Sequence, residues 1–185
     1  LTDLIFGQHG NDTINSLAGD DCVFGGADDD SLFGDIGNDL MLGGSGNDTV
    51  TGVAGLDSLY GGSGNDRLFG GLDSDWMEGN SGNDWLEGGQ LNDTMFGGSG
   101  IDTLFGDGEN DTLNGGSGID ELHGGLGTDR FEIVNDESEV DTLLGDGDQD
   151  DLYLMTGVMT PTLNGFNMAS TLIERVQGNG LGIQG

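Results

Sequence analysis

The sequence predicts an all-β solenoid, two sheets wound from about seven 18-residue coils and closed by an irregular C-terminal cap. Three observations carry this. An aspartate recurs at every ninth residue, an apolar residue follows two places after each, and a glycine-rich turn precedes each. Periods this regular mark architectures in which each unit buries its apolar face on its neighbours.

The aspartates are Asp3, Asp12, Asp21, Asp30, Asp39, Asp48, Asp57, Asp66, Asp75, Asp84, Asp93, Asp102, Asp111, Asp120 and Asp129. With the aspartate numbered position 6 of the nonapeptide, residues 7–132 form fourteen complete repeats after a partial one. Position 1 is glycine in thirteen of them, with Ser16 the exception. Position 2 is glycine in eight and position 4 in ten, the exceptions at position 4 being Asp28, Asp73, Leu91 and Glu109.

Each repeat divides in two. Positions 1–6 carry turn chemistry, since glycine reaches positive φ without penalty and Asn and Asp tolerate it. Positions 7–9 read out, in, out, which is a short strand of three residues. One strand and one turn make half a coil, so successive repeats fall on opposite sheets and their turns line opposite edges. Fourteen repeats give seven coils, about 34 Å of stack at about 4.8 Å per coil. Only position 8 points inward, giving a core of fourteen residues plus Ile5.

A longer rhythm overlies the first. Residues 16–51, 52–87 and 88–123 align as three blocks, with rings at position 9: Phe24 and Phe33, Tyr60 and Phe69, Phe96 and Phe105. These rings should recur every second coil, about 9.6 Å apart on each face. They are either ordinary strand surface or a contact face for lateral self-association or a surface partner. Trp76 and Trp85 take outward position 7 on opposite sheets, and His9 and His123 read as solvated.

After Glu132 the period stops. Residues 133–160 form an acidic, strand-like capping segment, as expected of an atypical terminal repeat. Residues 161–185 are a tail or a degenerate restart of the array, the restart centred on Ile173–Gly180. Asp146, Asp148 and Asp150 open like an EF-hand loop. However, Asp151 stands where the loop needs glycine and Gly157 where it needs glutamate, so at most an irregular calcium site is expected there.

Composition narrows the partners. The net charge is −32, and Arg67, Arg130 and Arg175 are the only Lys or Arg residues. Nucleic acid needs a basic footprint, and an anionic membrane surface would repel the chain. No apolar run is long enough to span a membrane as a helix. Cys22 is the single cysteine, so there is no intramolecular disulfide. The chain opens in mid-repeat with no signal peptide and reads as a piece of a longer protein. No metalloprotease, serine-hydrolase or phosphate-loop motif is present, and fifteen equivalent carboxylates mark a structural role, so an enzyme is not expected.

Such charge favours cations. Carboxylates stacked at strand spacing repel by about 1 kcal/mol each in water and more near protein. A core of one apolar residue in nine cannot offset both that repulsion and the ordering of the chain. The chain without metal is therefore expected to be disordered. Calcium takes six to eight oxygens, carboxylate and carbonyl alike, in flexible geometry, whereas magnesium demands strict octahedra and zinc wants His and Cys ligands, scattered here. The expected ligands are the position-6 aspartates, with turn carbonyls near Gly44, Gly46, Gly62, Gly64, Gly98, Gly100, Gly116 and Gly118. Six gaps along each edge give about 12 calcium ions shared between adjacent turns.

Fourteen registered copies, the purest being Gly43-Gly44-Ser45-Gly46-Asn47-Asp48 and Gly61-Gly62-Ser63-Gly64-Asn65-Asp66, resemble the repeats-in-toxin (RTX) consensus G-G-x-G-x-D-x-U-x over residues 1–132. The resemblance implies a right-handed parallel β-roll with calcium in the turns. It also implies type I secretion from a Gram-negative bacterium, the chain staying unfolded in the low-calcium cytosol and folding outside at the cell surface. Residues 127–155 resemble the capping segment that follows such rolls. Two parent contexts remain open: a structural or adhesive surface protein, and the secretion and folding module of an exported protease, lipase or cytolysin. The longer rhythm of rings favours the first.

The sequence departs from the consensus unevenly. Asp73, Leu91 and Glu109 fall in the eighth, tenth and twelfth repeats, which share one edge. If position 4 needs positive φ, the Cβ atoms of Leu91 and Glu109 are penalised. Weaker or reshaped calcium sites are expected there, between Gly70 and Asn114.

Overall fold

The computed structural model describes residues 2–134, 141–145, 152–156 and 175–177. The chain alternates between two parallel sheets, one of ten strands and one of eight, in which each strand pairs with the strand one coil away. Leu40–Ser45 lies between Cys22–Ala27 and Ser58–Ser63 in the larger sheet, for example, and Thr49–Ala54 between Ser31–Ile36 and Arg67–Leu72 in the smaller. The register is eighteen residues throughout the array, as in Val23 opposite Met41 and Leu32 opposite Val50. Two nonapeptides therefore make one coil, as the period predicts.

The strands are longer than the three residues expected. Leu40–Ser45 covers positions 7, 8 and 9 of one repeat and positions 1, 2 and 3 of the next. The alternation continues through the glycines, so positions 8 and 1 both point inward. Turn composition hid this, because a glycine inside a strand carries no apolar signal. Its inward place is reserved for something other than a side chain.

The position-8 side chains from Val23 to Phe131 form one column of core with almost no solvent exposure. Ile5 and Ile14 pack against its open N-terminal end and stay partly exposed. Leu143, beyond the period, extends the column. Thr142–Leu144 pairs with Glu121–Leu126 at a spacing of twenty-one residues, Leu122 standing opposite Leu143. Parallel pairing thus continues past Glu132, with a register of twenty-one residues in place of eighteen. Leu152–Thr156 joins the larger sheet beside Arg130–Val134, and Arg175–Gln177 joins it next, within the stretch expected as a degenerate restart. Asp146, Asp148 and Asp150 lie outside the described residues, as does most of the tail.

The position-9 rings recur every second coil as expected, Phe24 and Tyr60 flanking Leu42 in register, and other rings fill in between. They pack between adjacent coils: Phe6 stacks on Phe24 at 5.0 Å, Trp76 meets Phe96 at 5.0 Å and Trp85 meets Phe105 at 4.7 Å between ring centroids. His123, expected to be solvated, stacks on Phe105 at 4.4 Å and hydrogen-bonds Glu121. A long side chain at position 7 of one coil reaches diagonally to position 9 of the next, a cross-strand contact that straight-line spacing overlooks.

Candidate metal centre

The aspartate series does not form a solvated acidic face. From Asp21 to Asp129 each aspartate is at most 4% exposed. Asp12 is half-buried and Asp3 exposed, both at the open N-terminal end. Each is the last residue of its turn, and its side chain folds back between coils. The main-chain N–H of Asp48 donates to Oδ1 of Asp66 at 2.8 Å, that of Asp66 to Asp84 at 2.8 Å, and the other edge repeats this at Asp57 and Asp75. One carboxylate oxygen thus satisfies an amide of the preceding coil.

The second oxygen has no such partner. Oδ2 of each aspartate in the series from Asp12 to Asp111 is buried and makes no hydrogen bond. A buried unpaired carboxylate oxygen is costly and demands a cation or a proton. Burial accordingly pushes these carboxyls up, to about 6 at Asp84, about 7 at Asp57, Asp66, Asp93 and Asp102, and about 8 at Asp75 and Asp111. The N–H bonds to Oδ1 oppose the rise, and neighbouring carboxylates, such as Asp39 and Asp73 beside Asp57, add to it.

The glycines show what surrounds that oxygen. A Cβ on Gly43 would lie 2.5 Å from Asp48 Oδ2 and 2.7 Å from the carbonyl oxygen of Gly61 in the next coil. A Cβ on Gly62 would strike the carbonyl of Gly44, and one on Gly64 the carbonyl of Gly46. These two turns are therefore bordered by Gly44 O and Gly46 O from one coil and Gly61 O from the next, with Asp48 Oδ2 beside Gly43. The pattern repeats at Gly61 with Asp66 and Gly79, and on the other edge at Gly70 with Asp75 and Gly88. Position 1 must be glycine because its inward side is the place of this oxygen cradle. Ser16, the exception, turns its hydroxyl to the carbonyl of Gly34 at 2.9 Å.

Among the described residues no three His, Cys, Asp or Glu side chains gather as a metal cluster. The donors are instead carbonyls with one carboxylate per turn, the all-oxygen set that suits a hard cation of flexible geometry. A family model for the RTX calcium-binding nonapeptide repeat matches residues 2–22, 19–50, 42–77, 69–104 and 105–132. The chain belongs to this family. It is a calcium-binding structural repeat module, and the resemblance read from the consensus stands. Among curated proteins, none shows significant similarity to this RTX chain.

Sequence reasoning missed a second ladder in the RTX turns, at position 5. Asn65 N–H donates to Asn47 Oδ1 at 2.9 Å, and Asn83 N–H to Asn65 Oδ1 at 2.8 Å. On the other edge Asn38 accepts from Leu56 N–H and Asn92 from Asn110 N–H, each at 2.9 Å. The signal was present as Asn, Asp or Ser at most position-5 sites, with Leu56, Ile101, Ile119 and Thr128 as the interruptions.

Proposed function

We propose that this chain is an extracellular module whose folding is gated by calcium, with the position-6 aspartates and turn carbonyls as ligands. The observation that carries the reading is the column of buried Oδ2 atoms without partners. The residues fit the ion: the turns offer one carboxylate and several carbonyl oxygens each, and glycine at position 1 leaves its inward side open. Bound calcium would supply the positive charge that lets stacked carboxylates remain ionised inside the roll. Asp Oδ1 orders the neighbouring amide, the position-1 glycine leaves the cradle open, and positions 2 and 4 aim their carbonyls across the gap. Six gaps on each edge correspond to about 12 ions. Binding and folding are then one event.

A structural or adhesive segment of a secreted surface protein is the context this supports best. The outward rings interlock between coils and so stiffen the stack along its axis. The module has no disulfide to staple it, so the ion takes that part. The same ion-gated folding suits the secretion module of a type I-exported enzyme or toxin, which crosses the cell envelope unfolded. Small-angle scattering tests the folding claim. In chelator the radius of gyration should be near the unfolded value of about 45 Å, falling below about 25 Å in calcium. A midpoint on the order of 10⁻⁴ to 10⁻³ M would match an extracellular module. A sub-micromolar midpoint would contradict the extracellular reading, and an unchanged radius would contradict ion-gated folding.

A further inference from the structure

We infer that the two edges of the roll do not hold calcium equally, and that the edge carrying Asp73, Leu91 and Glu109 contains three weakened sites. The inference rests on the proposed ligand set and concerns position 4. On the other edge Gly10 and Asp28, at its N-terminal end, have φ of 91° and 78°, while Gly46, Gly64, Gly82, Gly100 and Gly118 have φ between 128° and 136°. In that conformation the Cα of Gly64 sits against the carbonyl of Gly46, with no room for a Cβ. Asp73, Leu91 and Glu109 do carry a Cβ, and their φ values are 75°, 71° and 74°. The backbone has turned by about 55° about N–Cα to accommodate the side chain, which re-aims the preceding peptide.

Hydrogen bonding follows the side chains at position 4, as at Gly10, whose N–H turns to Oδ2 of Asp28 at 3.0 Å. Along the regular edge the position-4 N–H donates to the position-3 carbonyl of the next coil at Gly46, Gly64, Gly82 and Gly100, each at 2.9 Å. Along the other edge this bond is made at Gly19 and Gly37, but at Gly55 the N–H turns instead to Oδ2 of Asp73 at 3.2 Å. Further on, a cleft of about 460 Å³ opens between turns, lined by Gln90, Leu91, Gly108, Glu109, Leu126 and Gly127.

On this edge three gaps have a side chain where the cage needs a bare position 4, those entered by Asp73, Leu91 and Glu109, against one on the other edge, at Asp28. Asp73 and Glu109 can offer a carboxylate in exchange for a displaced carbonyl. Leu91 offers nothing, so the gap between Asp73 and Leu91 is the weakest. The consequence is a roll that fills in two stages as calcium rises, the regular edge first.

Equilibrium dialysis with radioactive calcium tests this on the whole chain, alongside Leu91→Gly and the triple variant Asp73→Gly, Leu91→Gly, Glu109→Gly. The native chain should show two classes of site differing about tenfold or more in affinity. The triple variant should move about three ions into the tight class, and Leu91→Gly alone about one. One uniform class in the native chain, unchanged in both variants, would overturn the inference while leaving calcium binding intact. Absence of any bound calcium in all three proteins would overturn the ligand assignment beneath it.

Discussion

Oδ1 of Asp66 accepts the main-chain N–H of Asp48 at 2.8 Å, eighteen residues back, while its Oδ2 is buried without a partner. The same side chain thus closes one demand of the preceding coil and opens another of its own. Asp66→Ala should remove both, leaving the Asp48 amide unsatisfied at a cost of about 1–3 kcal/mol. Asp66→Asn keeps an acceptor for the amide and removes the charge. It should weaken calcium binding yet make the chain less dependent on the ion for folding. Calcium titrations of the two variants followed by circular dichroism separate these effects.

Acid should replace calcium in part. Burial raises the folded pKa of Asp57, Asp66, Asp93 and Asp102 to about 7, and of Asp75 and Asp111 to about 8. The unfolded value is about 3.9. The folded state therefore binds more protons, and its stability falls as pH rises between the two values. In chelator, β-structure should appear as pH drops from about 8 towards about 4.5, the reverse of ordinary acid denaturation. With calcium the trend inverts, because protons compete for the same oxygens and apparent affinity should fall with pH.

The cradle should reject even a methyl group. Gly61→Ala would place Cβ 2.5 Å from Asp66 Oδ2 and 2.9 Å from the Gly79 carbonyl. It should destabilise the calcium-loaded chain by at least the 1–3 kcal/mol typical of overpacking, and lower the number of bound ions. Ser63→Ala, exposed two residues on, should change thermal stability by less than about 0.5 kcal/mol.

A single core truncation should be felt strongly in so thin a column. Leu68 is fully buried. Leu68→Ala should cost about 2–5 kcal/mol in the calcium-loaded state, read as a lower melting temperature and a higher calcium midpoint.

The period made the two sheets, the eighteen-residue coil and the core column legible, because burial at position 8 leaves an apolar beat that nothing else explains. Strand length was not legible. Glycine at position 1 looks like turn chemistry, and only the structure shows it pointing inward beside Asp Oδ2. The aspartates were legible as a series. What the sequence did not show is that each uses Oδ1 on an amide and leaves Oδ2 over. Diagonal contacts such as Trp85 with Phe105 were missed because ring spacing was judged along one position rather than across two. The φ values at Leu91 and Glu109 match the penalty anticipated at position 4.

The column of buried Oδ2 atoms makes folding of the chain depend on a cation. Far-ultraviolet circular dichroism of the whole chain at pH about 8, well above the ordinary carboxylate range, tests it most directly, first in excess chelator and then through a calcium titration. A disordered spectrum in chelator and a cooperative gain of β-structure as calcium is added are expected. A β-sheet spectrum that is already complete in chelator and does not change with calcium would contradict that dependence.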